Sequence, residues 1–367
     1  NHPCIFAWSI GNEVMERDRP EGQQIAHFLA ERVRLNDATR PVTSAICGTW
    51  SAKTWTDTDA TFAELDLGGY NYQWSNYEPD HERFPQRMMM GTESFPIEAF
   101  ENWDQVERHS YVLGDFVWTS LDYLGETGIG RTTYEDEKND FLGTYPWHQA
   151  NCGDLDLCGF KRPQSYYRDL LWDAGTKLYI AVHDPIPEGR VRKVSRWGWP
   201  LVWPDWNWAG HEGKTFSVDV YSAYPEVELL LNGRSLGRKP AGKAEKHIAS
   251  FEVAYEPGEL KAVGYSAGKK AGETGIRTLG PAAALRLSAD RAQLKAQPGD
   301  LCYVTVELVD AGGALHPADD RKVSFSVQGE GILLAVGSAN PLSEEDYTGS
   351  SRATFKPAKV APDDVAF

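Results

Sequence analysis

Short apolar runs alternate with stretches of helical periodicity along the first part of the chain. Residues 5–10 are rich in β-branched and aromatic side chains, which predicts a strand buried on both faces, as in parallel α/β sheets. A turn over residues 17–20 follows, and then Ile25, Phe28, Leu29, Arg32, Val33 and Leu35 recur at helical spacing. Further strands are predicted at Val42–Ile46 and over residues 65–70, 87–90 and 112–118. Residues 98–111 have helical content, and residues 164–174 read as a helix that Gly175 ends.

The texture changes after residue 178. Helical periodicity stops, and short alternating segments take over at residues 216–221, 226–231, 249–255 and 259–265. Asn232-Gly233 lies between two of them as a hairpin signal, so the pattern is that of a β-sandwich. Gly280-Pro281 reads as a linker, and from Ala284 the alternation resumes through Leu285, Leu287 and residues 302–308, 323–327 and 332–336, consistent with an immunoglobulin-like module. A multidomain chain is expected, divided at 1–177, 178–280 and 281–367.

Chemistry enters at the ends of the early strands. In parallel α/β folds it sits at the carboxyl ends of strands, where Asn12 and Glu13 emerge from the first and Glu93 from the segment at 87–90. Two carboxylates on different strand ends of one barrel can flank a glycosidic bond, and a retaining glycosidase holds them at roughly 5 to 5.5 Å, one as nucleophile and one as acid/base. Singly, each has a plainer reading: Glu13 as a solvated loop carboxylate, Glu93 as a cap for a helix beginning near Pro96. The pair is the informative feature.

The run from Asn1 to Val14, which contains Phe6-Ala7-Trp8-Ser9-Ile10-Gly11-Asn12-Glu13, resembles the acid/base block of glycoside hydrolase family 2. Gly91-Thr92-Glu93 resembles its nucleophile block, and the run from Gly114 to Glu126, with Trp118, its eighth barrel strand. The region around Trp206-Asn207-Trp208 and Asn232 to Gly237 is similar to an accessory domain often found behind family 2 barrels. The resemblance covers nearly the whole chain. It implies an α/β portion of a (β/α)8 TIM-type barrel, strands four to eight, followed by two all-β immunoglobulin-like sandwich domains.

The resemblance also implies roles. Glu93 is expected as nucleophile, Glu13 as acid/base, Asn12 as a contact to the sugar 2-hydroxyl, and Tyr72 as the hydrogen-bond partner of the nucleophile, with Tyr70 and Tyr77 close by in sequence. Asn71 is expected as a sugar contact and Trp118 as a stacking platform, a core aromatic being the alternative for the latter. The activity implied is retaining hydrolysis of a terminal β-linked sugar, most like a β-galactosidase. A β-glucuronidase, a β-mannosidase and a non-catalytic carbohydrate-binding protein are the alternatives. That chemistry requires neither metal nor organic cofactor. Because only five strand candidates are found where a closed barrel needs eight, the isolated chain is expected to be inactive or nearly so.

Composition narrows the partners. Lys plus Arg number 37 against 53 Asp plus Glu, a net charge of −16 that argues against a nucleic-acid surface. An oligosaccharide or glycoside is the expected partner, no apolar run reaches the length of a membrane span, and a homo-oligomer is left open. Aromatic residues make up 12% of the chain, with 13 Trp. Trp197, Trp199, Trp203, Trp206 and Trp208 crowd into one stretch, where packing between domains is favoured over an outer sugar subsite. The residues 122–159, with Glu126, Tyr134, Asp136, Trp147 and His148, read as a long loop of the kind that carries function. Of the five cysteines, Cys4 and Cys47 are expected as buried thiols, whereas Cys152 and Cys158 are close enough to pair in an oxidising compartment. The chain opens on Asn1-His2-Pro3 without a Met, so compartment stays open, with the periplasm or the exterior suspected.

Overall fold

The computed structural model describes residues 2–48, 53–137, 141–297, 299–317, 319 and 321–348, together with the backbone of 352–354. Contacts divide it into two compact units, one of residues 1–120 with Arg196–Gly198, the other of residues 121–195 and 199 onward.

The first unit is a parallel sheet of five strands, β1 (Trp8–Asn12), β2 (Val42–Ile46), β3 (Leu67–Asn71), β4 (Met89–Ser94) and β5 (Val112–Val117), paired in that order. Helices α1 (Pro20–Asn36), α2 (Asp59–Phe62), α3 (Tyr77–Arg83) and α4 (Ala99–Arg108) fill the connections. Because strand order advances without reversal and such crossovers are right-handed, all the helices lie on one face of the sheet. The five predicted strands are therefore all present, with ends displaced by a few residues. Thr49 and Trp50, which follow β2, lie outside the described residues.

Burial departs from expectation at the edges. β1 is not buried on both faces: Trp8 is half-exposed, and Phe6 just before it is 53% exposed. An edge strand has a neighbour on one side only, which leaves its side chains half uncovered. Across the sheet, Phe6 stacks on Phe116 of β5 at 6.4 Å between ring centroids, so the sheet curls until side chains from its two edges meet. Helix α1 also faces the core differently from the apolar pattern. It buries Gly22, Ala26 and Ala30, spaced four apart, and leaves Phe28 and Leu35 exposed. Small residues let the helix backbone come close, and a Cβ on Gly22 would run into the Glu16 carbonyl. β3 is tighter still, since a Cβ on Gly69 would meet the Ser44 carbonyl, Thr92 Cγ2 at 2.8 Å and Thr43 Oγ1 at 2.9 Å.

The second unit opens with the segment after residue 120, which carries β6 (Thr133–Tyr134) and helix α5 (Pro163–Leu171). The segment is tied down: Arg162 pairs with buried Asp122 at 2.5 Å, and Gln149, Ala150 and Cys152 are fully buried. Next come β7 (Leu178–His183), β8 (Arg192–Lys193), which pairs with β6, and β9 (Val202–Trp203). β10 (Thr215–Ser222), β11 (Glu226–Leu231), β12 (Arg234–Pro240), β13 (Ile248–Ala254), β14 (Glu259–Ser266) and β15 (Lys269–Arg277) complete a sandwich. Its sheets run β13-β10-β7-β9 and β12-β11-β14-β15. Alternate residues Phe216, Val218 and Val220 of β10 share one core with Val227, Leu229 and Leu231 of β11, as period-two patterning requires. The hairpin at Asn232-Gly233 forms as predicted, both residues having the positive φ of a type I′ turn, 51° and 79°.

Beyond it, β16 (Ala282–Ala289) and β17 (Val304–Asp310) pair antiparallel, as do β18 (Lys322–Ser324) and β19 (Arg352–Thr354). Residues 355–367 lie outside the described residues. The cysteine expectations change in two places: Cys4 is exposed rather than buried, and Cys152 and Cys158 are not joined in a disulfide. Cys152 is shut inside the fold while Cys158 faces solvent, so closeness in sequence does not bring them together.

Candidate active site

Both expected carboxylates sit at the carboxyl end of the parallel sheet, and each follows a β-bulge. In β1 the pairing steps from Ser9↔Thr43 to Asn12↔Ala45, so β1 carries one residue more than β2. Gly11 lies within that bulge, where a Cβ would meet Val14 Cγ2 at 2.8 Å. Glu13 then adopts φ of 49°, and its N–H donates to the Ala45 carbonyl at 2.9 Å. In β4 the step from Tyr70↔Gly91 to Asn71↔Glu93 inserts Thr92 in the same way. Bulges bend a strand and re-aim the side chain that follows. Tyr72, directly after β3, also has a left-handed φ of 59°. For residues with a Cβ this region is sparsely populated, and such conformations cluster where a side chain must be held in one direction.

Asn71 joins the pieces. It is fully buried, its Oδ1 accepts from the Thr92 hydroxyl at 2.6 Å, and its Nδ2 donates to Asn12 Oδ1 at 3.0 Å and Glu13 Oε1 at 3.1 Å. A hydroxyl donor on one amide atom and a carboxylate acceptor on the other fix which way the amide faces. Asn71, expected as a sugar contact, is thus engaged with protein on both sides. Asn12 is exposed, and the bond from Asn71 holds its carbonyl oxygen inward.

Tyr72 and Glu93 are tied at both ends. The Tyr72 N–H donates to the Glu93 carbonyl at 2.7 Å, and its hydroxyl hydrogen-bonds the Glu93 carboxylate. Burial, followed by the negative charge of Glu93, pushes the Tyr72 hydroxyl well above the usual phenol range, and the charge of Glu13 adds to the shift. One phenol therefore feels both carboxylates. Of the neighbouring tyrosines, Tyr70 turns away to bond Asp80 at 2.9 Å, and Tyr77 is packed in the core. Trp118 follows β5, half-buried, with its N–H on the Ser94 carbonyl at 3.0 Å and a cis peptide bond to Thr119.

Three features of the site were not anticipated. Arg17 is buried, and its guanidinium bonds the Cys47 carbonyl at 3.1 Å and the Val14 carbonyl at 3.0 Å, fastening the turn after Glu13 to the end of β2. The Cys47 thiol hydrogen-bonds Glu13, and burial, then the Glu13 charge, push it up to about 12, with Arg17 opposing. Trp197 reaches Tyr72, its indole Nε1 donating to the hydroxyl at 3.2 Å, and packs edge-on against Phe95 at 5.1 Å. Arg196 beside it stands over the Phe95 ring at 5.9 Å. The other tryptophans of that stretch do different work: Trp206 and Trp208 lie in the sandwich core, while Trp199 donates to Tyr221 and Trp203 to Asp184. Among the described residues no group of His, Cys, Asp and Glu is arranged to hold a metal ion, and no helix is long and apolar enough to cross a membrane.

Comparison with known proteins agrees with the geometry. Residues 213–272 match a domain of unknown function, DUF4982, and residues 285–360 match glycoside hydrolase family 2 C-terminal domain 5. A β-galactosidase of Bacteroides ovatus, BoGH2A, is 28% identical, over 97% of this chain and 46% of its own length. A putative β-glucuronidase of Formosa agariphila is 26% identical, over 97% of this chain and 35% of its own. The chain thus spans half or less of the length of these curated relatives. Among solved structures, a glycosyl hydrolase family 2 member from Bacteroides cellulosilyticus is 38% identical and superposes with a TM-score of 0.87, over 96% of this chain and 45% of that one. A family 2 domain model matched in sequence and a family 2 structure that follows nearly every residue agree in what this chain is similar to, namely glycoside hydrolase family 2.

Proposed function

We propose that the chain carries strands four to eight of a (β/α)8 barrel and the two catalytic carboxylates of a retaining β-glycosidase acting on a terminal β-galactoside. The observation that carries this reading is the placement of Glu13 and Glu93 at the ends of β1 and β4, each after a bulge at the same sheet end, with one tyrosine hydroxyl that feels the charge of both. A steady strand order with every helix on one face is what a piece of such a barrel looks like. In this reading residues 1–177 complete the barrel portion. The matched models at 213–272 and 285–360 support sandwich domains at 178–280 and 281–367.

Chemically, a Glu93 oxygen bonds the anomeric carbon while the bond to the leaving oxygen breaks and Glu13 gives that oxygen its proton. Glu13, now a carboxylate, takes a proton from water, whose oxygen displaces Glu93 and restores both groups. Asn12, with its carbonyl held by Asn71, presents its amide to the sugar 2-hydroxyl. Asn71 acts as the spacer that fixes Glu13, and Trp118 offers a face to the sugar ring. No metal or organic cofactor takes part.

A β-glucuronidase is the second reading, and Arg196 over Phe95 favours it, since a guanidinium at the site can pair with a sugar carboxylate. A panel of nitrophenyl β-glycosides offered to the full-length gene product separates these. The β-galactoside is expected to turn over fastest, by about tenfold or more over glucuronide and mannoside, the scale of one net hydrogen bond. Preference for the glucuronide would move the assignment to the second reading. Binding without hydrolysis of any of them would mark a carbohydrate-binding protein.

A further inference from the structure

We infer that Trp197 is a positioning residue for the nucleophile, acting through the hydroxyl of Tyr72. The inference rests on the reading of Glu93 as nucleophile and adds to it a residue from far along the chain.

The argument is one of donors and acceptors. An indole N–H can only donate, whereas a phenol donates one proton and accepts on its oxygen. With Trp197 Nε1 donating to the Tyr72 oxygen at 3.2 Å, a Tyr72 proton turned towards Trp197 would face another proton. An ionised carboxylate can only accept, so the Tyr72 O–H donates to Glu93, the partner whose charge raises the Tyr72 hydroxyl. Trp197 therefore holds the phenol oxygen from the other side, in the place from which Tyr72 holds one carboxylate oxygen and leaves the other to attack.

Packing keeps the donor in place. Tyr72 lies face to face with Phe95 at 4.1 Å, and Trp197 meets both rings edge-on, at 80° to Tyr72 and 84° to Phe95. Edge-to-face contacts of this kind are favourable beyond the area they bury. They leave the indole little freedom to turn its N–H elsewhere. The Tyr72 backbone is fixed as well, by its bond to the Glu93 carbonyl at 2.7 Å. The hydroxyl end of the ring is held in turn by the Trp197 N–H.

The test uses Trp197→Phe, which keeps a ring and removes the donor, and Tyr72→Phe, alone and combined, in the full-length gene product. For Trp197→Phe, kcat is expected to fall about tenfold with KM within about twofold, the signature of an interaction that matters after binding. In the Tyr72→Phe background the same change is expected to do nothing more, because residues acting through one another are not additive. Fully additive losses, or a raised KM with kcat unchanged, would overturn the inference in favour of an independent wall or sugar platform. A crystal structure of the Trp197→Phe protein gives a readout that needs no activity. Tyr72 Oη is expected to leave the Glu93 carboxylate, and retention of that bond at its wild-type length would overturn the inference even if the glycosidase reading stood. Absence of turnover in the wild-type protein would instead count against the glycosidase reading.

Discussion

In the full-length gene product, Glu93→Gln is expected to lower kcat on nitrophenyl β-galactoside by roughly 10⁴-fold or more, the scale of loss when a nucleophile is removed. The amide keeps the size of the carboxylate and can still accept from Tyr72, so KM is expected to change little. It cannot form a glycosyl ester. Glu13→Ala is expected to behave differently, because its work depends on the leaving group: a poor one needs the proton and a dinitrophenolate does not. Loss with a simple alkyl galactoside is expected in the 10²- to 10⁴-fold range of acid/base catalysis, and much less for glycosyl-enzyme formation from the dinitrophenyl substrate. Steady-state and burst kinetics on the two substrates check this, and equal losses in that first step would remove Glu13 as the acid.

Much of this site is legible in the sequence because strand-end carboxylates come with local signals. Apolar runs closing on Asn12-Glu13 and on Gly91-Thr92-Glu93 mark both the strands and the end from which the two carboxylates emerge, and the structure has all five strands in one parallel sheet. The hairpin at Asn232-Gly233 is legible for a related reason, since its two residues tolerate the positive φ it needs. Contacts made across the chain are not written in this way. That Asn71 points inward to bridge Thr92 and Glu13 depends on strand register, which a bulge shifts by one residue. Trp197 was visible only as one of a crowd of tryptophans, because no local pattern separates the one that donates to Tyr72 from the two that fill the sandwich core. Helix α1 was placed by the period of its large apolar residues, yet it packs by glycine and alanine, a stripe that hydrophobic periodicity underweights.

The second large effect concerns these 367 residues expressed alone. Among the described residues β1 and β5 each pair on one side only, and beside those open edges Phe6, Trp8, Leu113 and Phe116 stand exposed. Unpaired edges with apolar side chains invite association with other chains. A closed barrel needs eight strands, and in the barrel reading proposed above closure would fix the distance from β1 to β4 across the site. Misplacing a reacting group by about 1 Å costs on the order of 10²-fold, so turnover of the isolated chain is expected at about 1% of the full-length protein or less. Size-exclusion chromatography is expected to show association rather than a single monomer. A monomeric product with turnover near that of the full-length protein would show that the open sheet holds its site without closure.

The claim on which the rest depends is that Glu93 forms a covalent bond to the sugar. Treating the full-length gene product with a dinitrophenyl 2-deoxy-2-fluoro-β-galactoside, which slows release of the intermediate, and then mapping peptides by mass spectrometry tests it directly. One fluorosugar on the peptide that contains Glu93, with loss of turnover in step with labelling, is the predicted result. A label on Glu13, or inactivation with Glu93 unmodified, would contradict it.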